Sequence, residues 1–144
     1  LASGGGSLGW YAGAALGVKL ACPNKTVVSL VGDGTYLFGV PASAQWVARR
    51  YDLPSLTVIY DNRGWKSPKM STLGVHPNGI AAEHDDFGIS FEPEADLPAI
   101  ANAASDASAR TVTRPDELRA AVKEAFGAVR AGQPAVLSVH LPPA

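Results

Sequence analysis

The stretch TVVSLVGDGT, residues 26–35, decides the fold class. Residues 26–32 are β-branched and aliphatic apart from Ser29 and Gly32, the composition of a short parallel strand covered on both faces. Gly32, Asp33, Gly34 and Thr35 then break the strand, and a helix follows from Pro41, which suits a first helical turn, through ASAQWVARRY to about Tyr51. Working outward, residues 8–21 read as a buried helix of small residues, and SLTVIYD (55–61) as a second buried strand. Residues 62–95 are polar, contain glycine and show little periodicity. DLPAIANAAS (96–105) reads as a short helix and ARTVT (109–113) as a third strand. Thr113 and Asp116 have the spacing of a capping box. Leu118, Val122, Ala125, Phe126 and Val129 then form one apolar helical stripe that stops near Gly132, and PAVLSVHL (134–141) is a fourth strand. Strands alternating with helices imply an α/β fold, an open parallel sheet with helices on both faces. Trp46, Tyr51 and Phe126 are expected in its core.

A chain of 144 residues with 47% hydrophobic content is large enough for one domain with a sizeable core, and it shows neither repeats nor an internal boundary. A formal net charge of −1 provides no basic field for nucleic acid and no polybasic patch for a membrane surface. No apolar run reaches the ~18 residues of a membrane-spanning helix. The glycine-rich start lacks the cationic end of a signal peptide. Cys22, the single cysteine, excludes an internal disulfide and a thiolate metal cluster, and reads as a small residue near a helix end. A reduced, cytoplasmic setting is expected. The sequence opens without Met inside a glycine-rich loop, so a fragment or subunit of a longer enzyme is expected.

Upstream of the first strand, SGGGSLGW (3–10) contains Gly4, Gly6 and Gly9 in the order G-x-G-x-x-G. That pattern marks a dinucleotide-binding turn only when a strand delivers it, and only Leu1 and Ala2 precede Ser3. In open α/β sheets, ligands bind at the carboxyl ends of the strands. The first strand ends in Gly-Asp-Gly, presenting Asp33 on what reads as an exposed strand end. The second ends in Asp61, Asn62, Arg63 and Gly64. If the two strands are neighbours, a carboxylate, a carboxamide oxygen and a backbone carbonyl converge there. Such a hard oxygen set suits magnesium or calcium rather than zinc or copper. Gly34 and Thr35 lie where backbone N–H groups can meet phosphate oxygens. Each motif alone is also ordinary turn chemistry; their pairing on successive strand ends favours a site.

Gly32-Asp33-Gly34, residues 35–61 and then Asn62 resemble the signature of thiamine diphosphate-dependent enzymes. GGGSLGWYAGAALGVKLACPNKTVVSLVGDGT (4–35) is similar to the matching stretch of the benzoylformate decarboxylase, pyruvate decarboxylase and acetolactate synthase group. The resemblance spans residues 1–144 as that family's C-terminal, diphosphate-binding domain and is densest over 4–65. It implies that thiamine diphosphate and Mg2+ are the cofactors. Asp33, Asn62 and the Gly64 carbonyl would hold the metal. Gly32, Gly34 and Thr35 would meet the diphosphate, with Trp65 lining the site. The glycine-rich turn would hold the aminopyrimidine, the Gly6 carbonyl accepting from its amino group, with Ser7 beside it. Leu8 would be wedged under the bent cofactor. Asp61 stands where the family more often has Asn, and WKSPKMSTLGVHPNG (65–79) matches no familiar substrate-specific pattern.

By the same resemblance, the activity is that of a lyase or transferase, decarboxylating or ligating a small 2-oxo acid. The activating glutamate would sit on a separate pyrimidine-binding domain reaching across from another subunit, so no catalytic residue is expected on this chain. The full enzyme would be a homodimer or homotetramer, without nucleic-acid or membrane partners. A non-catalytic nucleotide- or phosphate-binding module and, more weakly, a Rossmann dehydrogenase fragment are the competing readings. His140 reads as a structural histidine, while His76 could face substrate and His84 has no assigned role. Lys66 could line the site. Glu83, Glu92 and Glu94 read as a solvated acidic loop, and Glu117 and Glu124 as part of a solvated helix face.

Overall fold

A computed structural model describes residues 2, 4 and 7–143. Four strands, β1 (Val28–Gly32), β2 (Leu56–Asp61), β3 (Ser108–Val112) and β4 (Ala135–His140), form one parallel sheet in the order β1-β2-β4-β3. Seven helices are described: α1 (Trp10–Ala21), α2 (Asp33–Phe38), α3 (Pro41–Arg50), α4 (Lys66–Val75), α5 (Ile80–Glu83), α6 (Leu97–Ser105) and α7 (Leu118–Arg130). None of them is long and apolar enough to cross a membrane. The α/β class and parallel sheet are those expected, and Pro41 occupies the first turn of α3.

Strand alternation divides the core in two. On one face, Val31, Ile59 and Val136 pack with Tyr36 of α2 and with Leu97 and Ala101 of α6. On the other, Leu56, Ala135 and Leu137 pack beneath Ala121, Ala125 and Val129 of α7. Burial raises the phenol pKa of both Tyr36 and Tyr11, the latter with a contribution from its stacked neighbour Tyr36.

Three expectations are corrected here. The first strand is not covered on both faces, because α7 lies over β4, β3 and β2; Val28 and Leu30 of β1 remain 41% and 62% exposed. Trp46 and Tyr51 are not core residues, being 54% and 63% exposed on the outer side of α3, where the Arg50 guanidinium sits over the Trp46 ring. Phe126 is half-buried against the α7 core. Thr113 and Asp116 form no capping box: the Asp116 carboxylate is taken by Arg114, and a 3-10 turn, Pro115–Glu117, precedes α7.

The third glycine of the G-x-G-x-x-G series has a structural duty. Gly9 precedes α1 with φ of 75°, and a Cβ there would lie 3.0 Å from the Gly39 Cα and 3.1 Å from the Phe38 carbonyl oxygen. Both neighbours are backbone and cannot swing away. The left-handed conformation costs an L-residue about 1–2 kcal/mol and overpacking about 1–3. Gly9→Ala should therefore lower stability by about 2–4 kcal/mol in urea unfolding; an unchanged midpoint would refute this duty.

Candidate functional site

Gly32 and Tyr60 form the last residue pair of the β1–β2 ladder, so Asp33 and Asp61 leave the two adjacent strands at the same level. Asp33 opens α2 and is 3% exposed, which corrects the expectation of an exposed strand end. Its Oδ1 accepts the Gly34 N–H at 2.8 Å, and its Oδ2 accepts the Gly64 N–H at 3.0 Å. Burial raises the Asp33 carboxyl above the usual carboxylate range; the N–H groups of Gly34 and Gly64 oppose the rise, and the Asp61 charge adds to it. A buried carboxylate without a cationic partner gains from a bound cation.

Asp61, 7% exposed, folds the turn that follows it. Its Oδ1 accepts the Arg63 N–H at 3.3 Å, and Arg63 takes the left-handed conformation with φ of 59°. The turn is tied from outside by the Trp65 N–H to the Ile89 carbonyl (2.9 Å) and the Phe91 N–H to the Arg63 carbonyl (3.0 Å). Asn62 stands between Asp61 and Arg63, and its Oδ1 is buried and has no hydrogen-bond partner among the described residues. Such a group costs about 1–3 kcal/mol unless something fills its lone pairs. The Gly64 carbonyl accepts the Lys66 N–H at 3.1 Å, which leaves a second lone pair.

The Trp65 ring lies directly on Gly34. A Cβ at Gly34 would come within 2.3 Å of that ring, so only glycine permits the contact. Phe91 meets Trp65 edge-on, with centroids 5.1 Å apart. Thr35 is half-buried in the first turn of α2, while Gly32 precedes that helix in extended conformation. Ser7 is exposed and Leu8 is 43% exposed before α1. Gly6 lies outside the described residues.

Sequence reading missed several members of this neighbourhood. Glu94 is not simply solvated: its carboxylate lies 3.5 Å from Arg63 Nε, and it lines with Asp33 and Asp61 a cavity of about 20 Å³. Ser138 donates to Asp61 Oδ2 at 2.7 Å, and His140 Nε2 stands 3.6 Å from the same oxygen. The available signal was two polar residues at alternate positions of a buried strand. His76 and His84 are exposed at the ends of α4 and α5, and Lys66 is exposed at the start of α4. No three His, Cys, Asp or Glu side chains among the described residues are arranged to hold a metal. A cation here would take carboxylate, carboxamide and backbone oxygens, the hard set suited to Mg2+. The orphaned Asn62 oxygen beside the buried turn fits such an ion.

The chain is similar to known proteins over most of its length. Benzoylformate decarboxylase of Pseudomonas aeruginosa is 30% identical over 125 residues, covering 87% of this chain and 22% of that protein. A probable acetolactate synthase large subunit of Methanocaldococcus jannaschii is 29% identical over 147 residues, covering the whole chain and 22% of its own length. The chain thus spans about a fifth of the curated relatives it matches. The thiamine diphosphate-dependent 4-hydroxybenzoylformate decarboxylase of Rhodococcus jostii RHA1 shares the fold, with a TM-score of 0.73 at 23% identity over 97% of this chain and 24% of that one. Residues 1–139 match the family described as thiamine pyrophosphate enzyme, C-terminal TPP binding domain, and the chain belongs to that family.

Proposed function

We propose that this chain binds the diphosphate of thiamine diphosphate through Mg2+, as one domain of a 2-oxo acid decarboxylase or carboligase. The unpartnered, buried Asn62 Oδ1 carries the reading, because it sits on the turn whose Gly64 N–H reaches the buried Asp33 carboxylate. Asp33, Asn62 Oδ1 and the Gly64 carbonyl would hold the metal, a hard oxygen set suited to Mg2+. Thr35 offers its N–H at the start of α2, while Gly34, whose own N–H is given to Asp33 Oδ1, and Gly32 allow close approach of the diphosphate. Trp65 closes the site from the side of Gly34. Gly6 and Ser7 would meet the aminopyrimidine, and Leu8 would support the cofactor's rings.

When bound, the cofactor supplies a carbon nucleophile and an electron sink for cleavage or formation of a bond beside a carbonyl. The chain's own contribution is anchorage, charge neutralisation and orientation. A pyrimidine-binding domain of the same enzyme, in a homodimeric or homotetrameric assembly, completes the site. The decarboxylase and synthase relatives favour a small 2-oxo acid as substrate. Calorimetric titration tests the reading: thiamine diphosphate should bind only with Mg2+ present. Binding of NADH without metal, and none of thiamine diphosphate, would overturn it in favour of a dinucleotide module.

Leu8 gives a separable prediction. Its side chain is 43% exposed where the chain enters α1, available to a ligand rather than spent in the core. Its work is orientation of the reacting geometry rather than anchorage. In the complete enzyme, Leu8→Ala should lower kcat by more than it weakens cofactor affinity. Equal losses in both would remove that role.

A further inference from the structure

The carboxyl end of β4 is built as a clamp on the turn that carries Asn62. β4 is internal to the sheet, and its polar residues Ser138 and His140 share one face of an otherwise aliphatic strand. The Ser138 hydroxyl, on a residue 1% exposed, donates to Asp61 Oδ2 at 2.7 Å. His140 lies directly opposite Asp61 in the β2–β4 ladder, its Nε2 3.6 Å from that oxygen. The Leu141 N–H donates to the Asp61 carbonyl at 2.8 Å, and the Arg63 guanidinium donates to the Leu141 carbonyl at 3.1 Å.

The two carboxylate oxygens of Asp61 are thereby divided, Oδ2 to β4 and Oδ1 to the Arg63 N–H inside the turn. The division fixes the side chain's rotation and the geometry of the turn. Residue 61 is where β2 ends, so the sheet has no need of a buried carboxylate there. The clamp has a purpose if the turn must hold Asn62 and Gly64 in one place.

We propose that Ser138 is a positioning residue for the cation site: through Asp61 it orients the 61–64 turn, and so Asn62 Oδ1 and Gly64, with His140 as a supporting contact. This rests on the Mg2+–thiamine diphosphate reading above. Ser138 is outside the proposed ligand set and acts through Asp61, so its effect should appear in metal affinity without a matching loss of fold.

The test titrates Mg2+ into the complete enzyme that contains this chain, at saturating thiamine diphosphate, for the unmodified protein and for Ser138→Ala, Ser138→Thr and Ser138→Val. Loss of a hydrogen bond to a charged acceptor should weaken Mg2+ about tenfold in Ser138→Ala. Threonine keeps the hydroxyl and should restore the affinity; valine, its isostere, should not. The Asn62 side-chain amide resonances should move in the alanine and valine variants before any metal is added, and stay near their original positions in the threonine variant. If the alanine variant does not fold, the threonine–valine pair, equal in shape, carries the comparison. Unmodified binding with full Mg2+ affinity in the folded alanine or valine variant overturns the positioning role alone. Absence of Mg2+-dependent cofactor binding in the unmodified complete enzyme overturns the underlying reading, and this inference with it.

Discussion

Asp33→Ala should abolish Mg2+-dependent binding of thiamine diphosphate. Asp33 is the only charged ligand in the proposed set, and it is buried, so its interaction with a cation is weakly screened. Removing one partner of a desolvated charge pair costs about 2–5 kcal/mol, an affinity loss of roughly 30-fold or more. The substitution also takes the acceptors from the Gly34 and Gly64 N–H groups, which adds a cost to stability. Asp33→Asn separates the two effects. Asparagine keeps the shape and one acceptor oxygen, so it should fold more nearly as the original does while still losing the metal. Calorimetry with and without Mg2+ reads the affinity, and thermal unfolding reads the fold. Undiminished Mg2+-dependent affinity in Asp33→Asn would remove Asp33 from the ligand set.

The sheet was legible because its strands write their own pattern. SLTVIYD and PAVLSVHL are short aliphatic runs bounded by polar or turn residues, and β2 and β4 fall inside them. The apolar stripe of residues 118–129 likewise lies within α7. Helix α4 left no such trace, since none of its residues is buried and it shows no apolar stripe. Trp46 and Tyr51 misled for the opposite reason. Large aromatics suggest a core, but α3 buries Pro41, Gln45 and Ala48 and turns those two rings outward.

At the site, the residue types were readable and their surroundings were not. GDG and DNRG stand out because acidic and amide residues rarely follow aliphatic runs without a turn or a ligand to explain them. The burial of Asp33 depends on Gly64 arriving from β2, and the turn depends on residues 89–91 and on β4. These contacts join segments far apart in sequence, and no local pattern announces them. The Asp61–Ser138 bond spans 77 positions, so the second half of a hydrogen-bonded pair was hidden in a strand that read as core.

The 144-residue chain should be catalytically inert even when saturated with thiamine diphosphate and Mg2+. Activation of this cofactor needs a carboxyl group set against its aminopyrimidine, in position to pass a proton. The family resemblance assigns that group to a glutamate of the pyrimidine-binding domain, and the glutamates of this chain have other surroundings. Glu94 is drawn to Arg63 beside the proposed cation turn, at the diphosphate end of the site. Glu117 and Glu124 face Arg110 at 3.8 and 3.2 Å, on the far side of the sheet under α7. Glu83 and Glu92 are exposed, the first at the end of α5 and the second between α5 and α6. If anchorage and activation are carried by different parts of the enzyme, as that resemblance implies, the first without the second yields binding but no turnover. The chain is mixed with pyruvate or benzoylformate, cofactor and Mg2+, and carbon dioxide release is followed. Release should not exceed that of the cofactor alone, and adding a pyrimidine-binding domain from the same enzyme should start it. Steady, cofactor-dependent turnover by the chain unaided would show that one of its own carboxylates performs the activation.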